Sequence, residues 1–155
     1  MTQSDFLARS IELAAASAAS GGGPFGAVIV KDGQVLAEAS NQVTSSCDPT
    51  AHAEVAAIRL ACERLGDHQL TGCTLYSSCE PCPMCLGAIY WARLDAVYFA
   101  ATREQAAAAG FDDSLIYREV AQPLSQRQIP FHHLELTESN RPFHEWSLNV
   151  DKLAY

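Results

Sequence analysis

A chain of 155 residues with 48% hydrophobic content is long enough to bury one ordinary core. The net charge of -8, with Lys31, Lys152 and the arginines scattered, argues against a nucleic-acid partner, because neutralised phosphates supply much of such affinity. No apolar run approaches the roughly 20 residues that span a bilayer, and no basic start leads an apolar stretch at the N-terminus. The expectation is therefore a cytoplasmic protein with no membrane partner.

In chain order, Ser4 to Ala19 reads as a helix capped by Ser4, with Phe6, Leu7, Ile11, Leu13 and Ala14 on its apolar face. Gly21-Gly22-Gly23-Pro24 ends it. Ala27 to Val30 and Val35 to Ala39 follow as strands of a hairpin about Lys31-Asp32-Gly33. Thr50 offers an N-cap to a helical run through Ala61, and Thr74 to Ser77 reads as a strand. Met84 to Arg93 is helical behind Pro81 or Pro83, and Ala96 to Ala100 is a strand. Glu104 to Ala109 forms a short helix ending at Gly110. Ile129 to Leu136 is a last strand, and Asn140 to Leu153 a terminal helix with Pro142 at its start. A hairpin followed by alternating helices and strands predicts one α/β domain over residues 1–155. Its architecture is a three-layer α/β/α sandwich on a mixed, roughly five-stranded sheet. The helices that begin near His52 and Cys82 are expected to start near one edge of that sheet.

Two short segments carry chemistry: Thr50-Ala51-His52-Ala53-Glu54 and Glu80-Pro81-Cys82-Pro83-Met84-Cys85. Catalytic zinc takes three protein ligands from imidazole and thiolate and keeps its fourth position for water, whose pKa it lowers toward about 7. His52, Cys82 and Cys85 supply such a set. Glu54 is too close to His52 to serve as an independent ligand and is well placed to carry protons to and from that water. In mid-helix, residues two apart point roughly 200° from one another, so His52 and Glu54 share a site only at a helix start. Cys79-Glu80-Pro81-Cys82 is a second C-x-x-C pair. If Cys79 joined the other three ligands, the site would be closed, and the protein a non-catalytic zinc module.

The other cysteines, Cys47, Cys62 and Cys73, read as small apolar residues in a domain of this size and compartment. His68, His132, His133 and His144 have no ligand spacing. Asn41 follows a strand, where its amide either finishes a turn or donates and accepts at the edge of a heterocycle. Phe25 and Trp91 either join the core or offer ring faces to a flat substrate. Of Asp112 and Asp113, one suits a helix cap before Leu115. The other, an acceptor-only carboxylate, matches a ring N–H beside an exocyclic amine.

The paired H-x-E and P-C-x-x-C segments are a signature of the zinc-dependent nucleobase deaminases. Together with Gly22-Gly23-Pro24-Phe25-Gly26-Ala27-Val28-Ile29-Val30, Asn41, Asp48-Pro49-Thr50, Leu86 to Arg93, Gly110-Phe111-Asp112-Asp113-Ser114 and Tyr155, they make the chain resemble the cytidine deaminase-like superfamily. Within it, the chain is most similar to the short bacterial guanine deaminases. That resemblance implies Zn2+ on His52, Cys82 and Cys85, Glu54 as the catalytic proton carrier, and conversion of guanine and water to xanthine and ammonia. It further implies a purine-base pocket built from Phe25, Asn41, Ala53, Trp91, Asp113 and Tyr155. Asp113 would read the guanine edge. The resemblance also implies a homodimer in which the segment from about 140 to 155 crosses to the partner subunit, so that Tyr155 closes the other active site. A guanosine deaminase shares the catalytic site, and a tRNA adenosine deaminase shares the zinc motifs but needs a phosphate-binding surface.

Overall fold

The computed structural model describes residues 1–155. A helix over Gln3–Ala19 (α1) precedes a hairpin of β1 (Gly26–Lys31) and β2 (Gln34–Ser40). There follow a single turn, α2 (Val43–Ser46), then α3 (Ala53–Leu65), β3 (Cys73–Cys79), α4 (Pro83–Trp91), β4 (Ala96–Ala101) and α5 (Arg103–Ala108). Helices α6 (Ser114–Ala121) and α7 (Arg141–Leu148) complete the chain. The chain divides into two compact units, Met1–Ser114 and Leu115–Tyr155.

In the first unit the sheet order is β2-β1-β3-β4. β1 is antiparallel to β2 and β3, and β3 is parallel to β4 through the α4 crossover. The hairpin closes as its sequence predicts. Asp32 and Gly33 adopt positive φ of 51° and 74°, the backbone of a two-residue turn whose twist suits the flanking strands. Alternation sorts the strand residues to two faces. Ala27 and Ile29 of β1 with Cys73 and Leu75 of β3 pack against Ala53, Ala57, Ile58 and Ala61 of α3 and Ile89 of α4. Val28, Val30 and Tyr76 turn the other way, onto Phe6 of α1. Helices thus cover both faces, which is the expected three-layer sandwich.

Several local expectations give way to stronger local chemistry. Thr2, not Ser4, caps α1, because Thr2 and Asp5 form a reciprocal capping box. The buried face of α1 is Phe6, Ser10, Ala14 and Ser17, and Ile11 is 47% exposed. Thr50 does not cap α3: both its N–H and its hydroxyl donate to Asp48 Oδ1, at 2.8 and 2.7 Å, and His52 occupies the cap instead. Cys47 is exposed rather than packed, and it ends α2 in a left-handed conformation. Residues 129–136 form no strand, and the sheet has four strands instead of about five. Pro130 lacks a ladder donor, which weakens that segment as a strand. The last helix stops at Leu148, where Asn149 closes its end and its side-chain oxygen accepts from Asp151 N–H.

No helix is long and apolar enough to cross a membrane.

Candidate active site

β2, β3 and β4 run in one direction and β1 runs against β2 and β3, so the start of β1 and the ends of the other three lie at one end of the sheet. Ligand sites of α/β sheets favour the carboxyl ends of parallel strands. Phe25 directly precedes β1, Asn41 directly follows β2, and Cys82 comes shortly after β3. The segment that leads to Asp113 follows β4. The site therefore gathers at strand ends, where α3 and α4 begin, rather than at an edge of the sheet.

His52 is the N-cap of α3, with φ -65° and ψ 155°, and Glu54 is the second residue of the helix. The extended residue interrupts helical geometry, so two side chains that would diverge in mid-helix converge here. Cys82 repeats the device as N-cap of α4, with φ -67° and ψ 170°, and Pro83 occupies the first turn, where its missing N–H costs nothing. Two helix N-termini thus direct their positive dipole ends at this point and favour negative charge there.

His52 Nδ1 lies 3.5 Å from Cys82 Sγ and 3.6 Å from Cys85 Sγ. The ligand atoms of the three residues all fall within 4.8 Å of one another. Tetrahedral zinc with ordinary Zn–N and Zn–S bonds holds such nitrogen and sulfur atoms about 3.6 Å apart, so the donor set fits the metal in type and spacing. The charges of the metal-free chain agree. Cys82 is pushed down to about 4, first by the neighbouring Cys85 and then by His52. Cys85 is raised in turn as the partner that keeps the proton, and the Cys82 sulfur raises His52.

Glu54 is 5% exposed. Its Oε1 accepts a hydrogen bond from Ser77 Oγ at 3.1 Å, and its Oε2 accepts from Cys85 Sγ at 3.5 Å. Burial holds its carboxyl above the usual carboxylate range, against the opposing effect of the Ser77 hydrogen bond. Ser77 is absent from the sequence-based site. Its signal was a polar residue in a buried, apolar-facing row of β3 that otherwise reads Cys73, Leu75 and Cys79.

Cys79 stays outside the cluster. Its thiol donates to the Thr102 carbonyl at 3.8 Å, and burial pushes it up to about 11. A Cys79→Ala protein is therefore expected to keep its full zinc content and its turnover, measured by metal analysis and ammonia release. Loss of zinc would make the centre a closed four-ligand module.

Around the cluster, Asn41 is held by its own N–H donating to Phe25 O at 3.0 Å and by its Oδ1 accepting from Val43 N–H at 3.1 Å. It is thus a turn residue, with the amide NH2 left to donate elsewhere. Gln42 N–H donates to Ala51 O and draws this corner toward His52. Gly23 is required here, because a Cβ on it would sit 2.8 Å from the Asn41 side chain. Phe25 meets Phe111 edge to face at 5.0 Å. Asp112 Oδ1 accepts from Ser114 N–H at 2.9 Å, which makes it the turn residue of the pair. Asp113 is half-buried, and burial together with the nearby Cys82 sulfur raises its carboxyl.

The remaining residues expected to bind substrate are Ala53, Trp91 and Tyr155. Ala53 is fully buried in the core, so only its backbone can face a ligand. Trp91 is 64% exposed at the far end of the nine-residue α4, roughly 13 Å along the axis from Cys82. Tyr155 meets Trp146 edge to face at 6.4 Å within the second unit.

The chain is 57% identical to guanine deaminase of Bacillus subtilis over the full length of both proteins. An X-ray structure of guanine deaminase from Bacillus subtilis superimposes with a TM-score of 0.98, covering 100% of this chain and 99% of that one. The tRNA-specific adenosine deaminase of Agrobacterium fabrum is 50% identical, but over only 50% of this chain and 51% of its own length. The family model for the cytidine and deoxycytidylate deaminase zinc-binding region matches residues 1–101, which include every member of the metal cluster as well as Glu54. With that match and the three-ligand centre at two helix caps, the chain belongs to the cytidine and deoxycytidylate deaminase zinc-binding family.

Proposed function

We infer that this protein is a zinc-dependent deaminase that converts guanine and water to xanthine and ammonia, acting through one domain made by the whole chain. One observation carries the substrate: the likeness to the Bacillus subtilis guanine deaminase runs from end to end, whereas that to the Agrobacterium fabrum tRNA deaminase covers half the chain.

His52, Cys82 and Cys85 would hold the metal, which when bound activates water as a nucleophile at neutral pH. Glu54 then does the proton work. Its carboxylate takes a proton from the attacking water and hands it to a ring nitrogen as the new C–O bond forms at the carbon that bears the amine. The remaining hydroxyl proton passes by the same carboxylate to the amine, which leaves as ammonia and restores a carbonyl. A carboxylate used twice in this way must accept and release a proton with little cost, and burial of Glu54 moves it toward that balance. Phe25 supplies an apolar wall, the Asn41 NH2 group donates to the base edge, and Asp113 accepts from the ring N–H and exocyclic amine of guanine.

The purified zinc protein should release ammonia from guanine. Guanosine, adenine, cytosine and their nucleosides should be poor substrates. Preferential turnover of guanosine would enlarge the pocket to admit ribose, and turnover of tRNA adenosine alone would overturn the base specificity. Asp113→Asn is expected to lower kcat/KM on guanine by about 10- to 100-fold with zinc content unchanged, since a buried donor pair on the substrate loses half its acceptor. An unchanged guanine rate removes Asp113 from the pocket.

We further propose a homodimer, located in the cytoplasm, in which the segment from about 140 to 155 crosses to the partner. No residue of the second unit is buried, and its exposed apolar side chains include Ile129, Phe131, Phe143, Leu153 and Tyr155. That much apolar surface calls for a covering partner. Removal of the last few residues is expected to raise KM about tenfold or more, or to abolish turnover, with metal content intact. A fully active truncated enzyme refutes the lid role of Tyr155.

A further inference from the structure

Residues of β3 alternate between the two faces of the sheet, and Cys73, Leu75, Ser77 and Cys79 share the face that looks toward α3. Three of these side chains are small or apolar and suit a buried interface. Ser77 does not, because the residue is 2% exposed and a buried hydroxyl must find a partner. It finds one across the layer, on α3, by donating to Glu54 Oε1 at 3.1 Å.

The carboxylate is equally constrained from its other side, where Oε2 accepts from the Cys85 thiol. A cysteine that holds metal does so as thiolate, so the Cys85 proton, and with it that donor, is lost in the zinc-loaded protein. The hydroxyl of Ser77 keeps its proton. It therefore remains to fix Oε1 on β3, an inner strand of the sheet, while Oε2 faces the ligand cluster.

We propose that Ser77 is a positioning residue for the proton carrier Glu54, pinning one carboxylate oxygen to β3 so that the other is presented to the reacting water. The proposal rests on the deaminase reading above. A proton shuttle must meet two acceptors in turn without losing its orientation, and a carboxylate free to rotate would spend most of its time misaligned.

Three zinc-loaded proteins decide it: wild type, Ser77→Ala and Ser77→Thr. Ser77→Ala is expected to lower kcat for guanine by about 10- to 100-fold, with KM within about twofold of wild type and zinc content unchanged. Ser77→Thr keeps a hydroxyl on the same carbon and should recover most of the lost kcat. An Ala variant with wild-type kcat overturns the proposal. So does a loss carried by KM or by missing zinc, or a folded Thr variant no better than Ala. If the added methyl of Thr prevents folding, the kcat-against-KM split of Ser77→Ala decides alone. Wild-type protein that fails on guanine refutes the substrate reading and not this one, and the comparison is then made on whichever base of the panel is turned over.

Discussion

Replacing Glu54 by Gln is expected to lower turnover by roughly 10²- to 10⁴-fold, the usual contribution of a positioned acid or base, with zinc content unchanged. The upper end is expected because one carboxylate serves both proton transfers. The substitution keeps shape and volume, so Ser77 Oγ can still donate to a side-chain oxygen at the Oε1 position. What is removed is the capacity to accept a proton and return it. Metal analysis alongside ammonia release separates the two properties: zinc-loaded protein with little turnover is the expected result. A zinc-loaded variant that works at near-normal rate would mean that another group carries the protons.

Replacing Cys82 by Ser, or His52 by Ala, should remove the metal and with it all turnover, reducing zinc from about one per chain to near none after dialysis. The contrast with Cys79→Ala, expected to keep its zinc, defines the ligand set from both sides. Acid should do reversibly what these substitutions do permanently. In the metal-free chain Cys85 keeps its proton and His52 is held above its usual range, while Cys82 is already a thiolate down to about 4. Zinc must therefore displace protons from Cys85 and His52 but not from Cys82. Apparent zinc affinity therefore rises with pH throughout, most steeply at acid pH where both protons must leave and less steeply above the His52 range where only the Cys85 proton remains. Competition titration with a zinc chelator measures it. An affinity independent of pH would contradict the proton assignment.

Much of the fold was legible because its signals are local. Asp32-Gly33 selects a tight hairpin by backbone conformation alone, and the apolar runs of β1, β3 and β4 leave little choice of element. The places where reading failed are those where a competing contact lies outside the pattern. Thr50 has the right chemistry for a cap, but it turns onto Asp48 and α3 begins only at Ala53, which puts His52 at the cap position. Ser4 has it too, yet Thr2 finds a reciprocal partner in Asp5. Residues 129–136 have apolar side chains at intervals, but a strand exists only with a neighbour, and spacing does not supply one.

The residues of the metal cluster and the acidic residue beside them were readable for a related reason. His52 and Glu54, and Cys82 and Cys85, are each close in sequence, and a helix start is a local event that brings each pair together. By itself, the sequence determined the candidate donors and the presence of a carboxylate close to one of them, and left Cys79 as a possible fourth ligand. Only the tertiary structure decided that the two pairs meet, with His52 Nδ1 3.5 and 3.6 Å from the two sulfurs. It also turned Cys79 aside to Thr102 and brought Ser77 against Glu54. Those outcomes depend on which strand lies under which helix, a consequence of packing between segments far apart in the chain that no local pattern encodes.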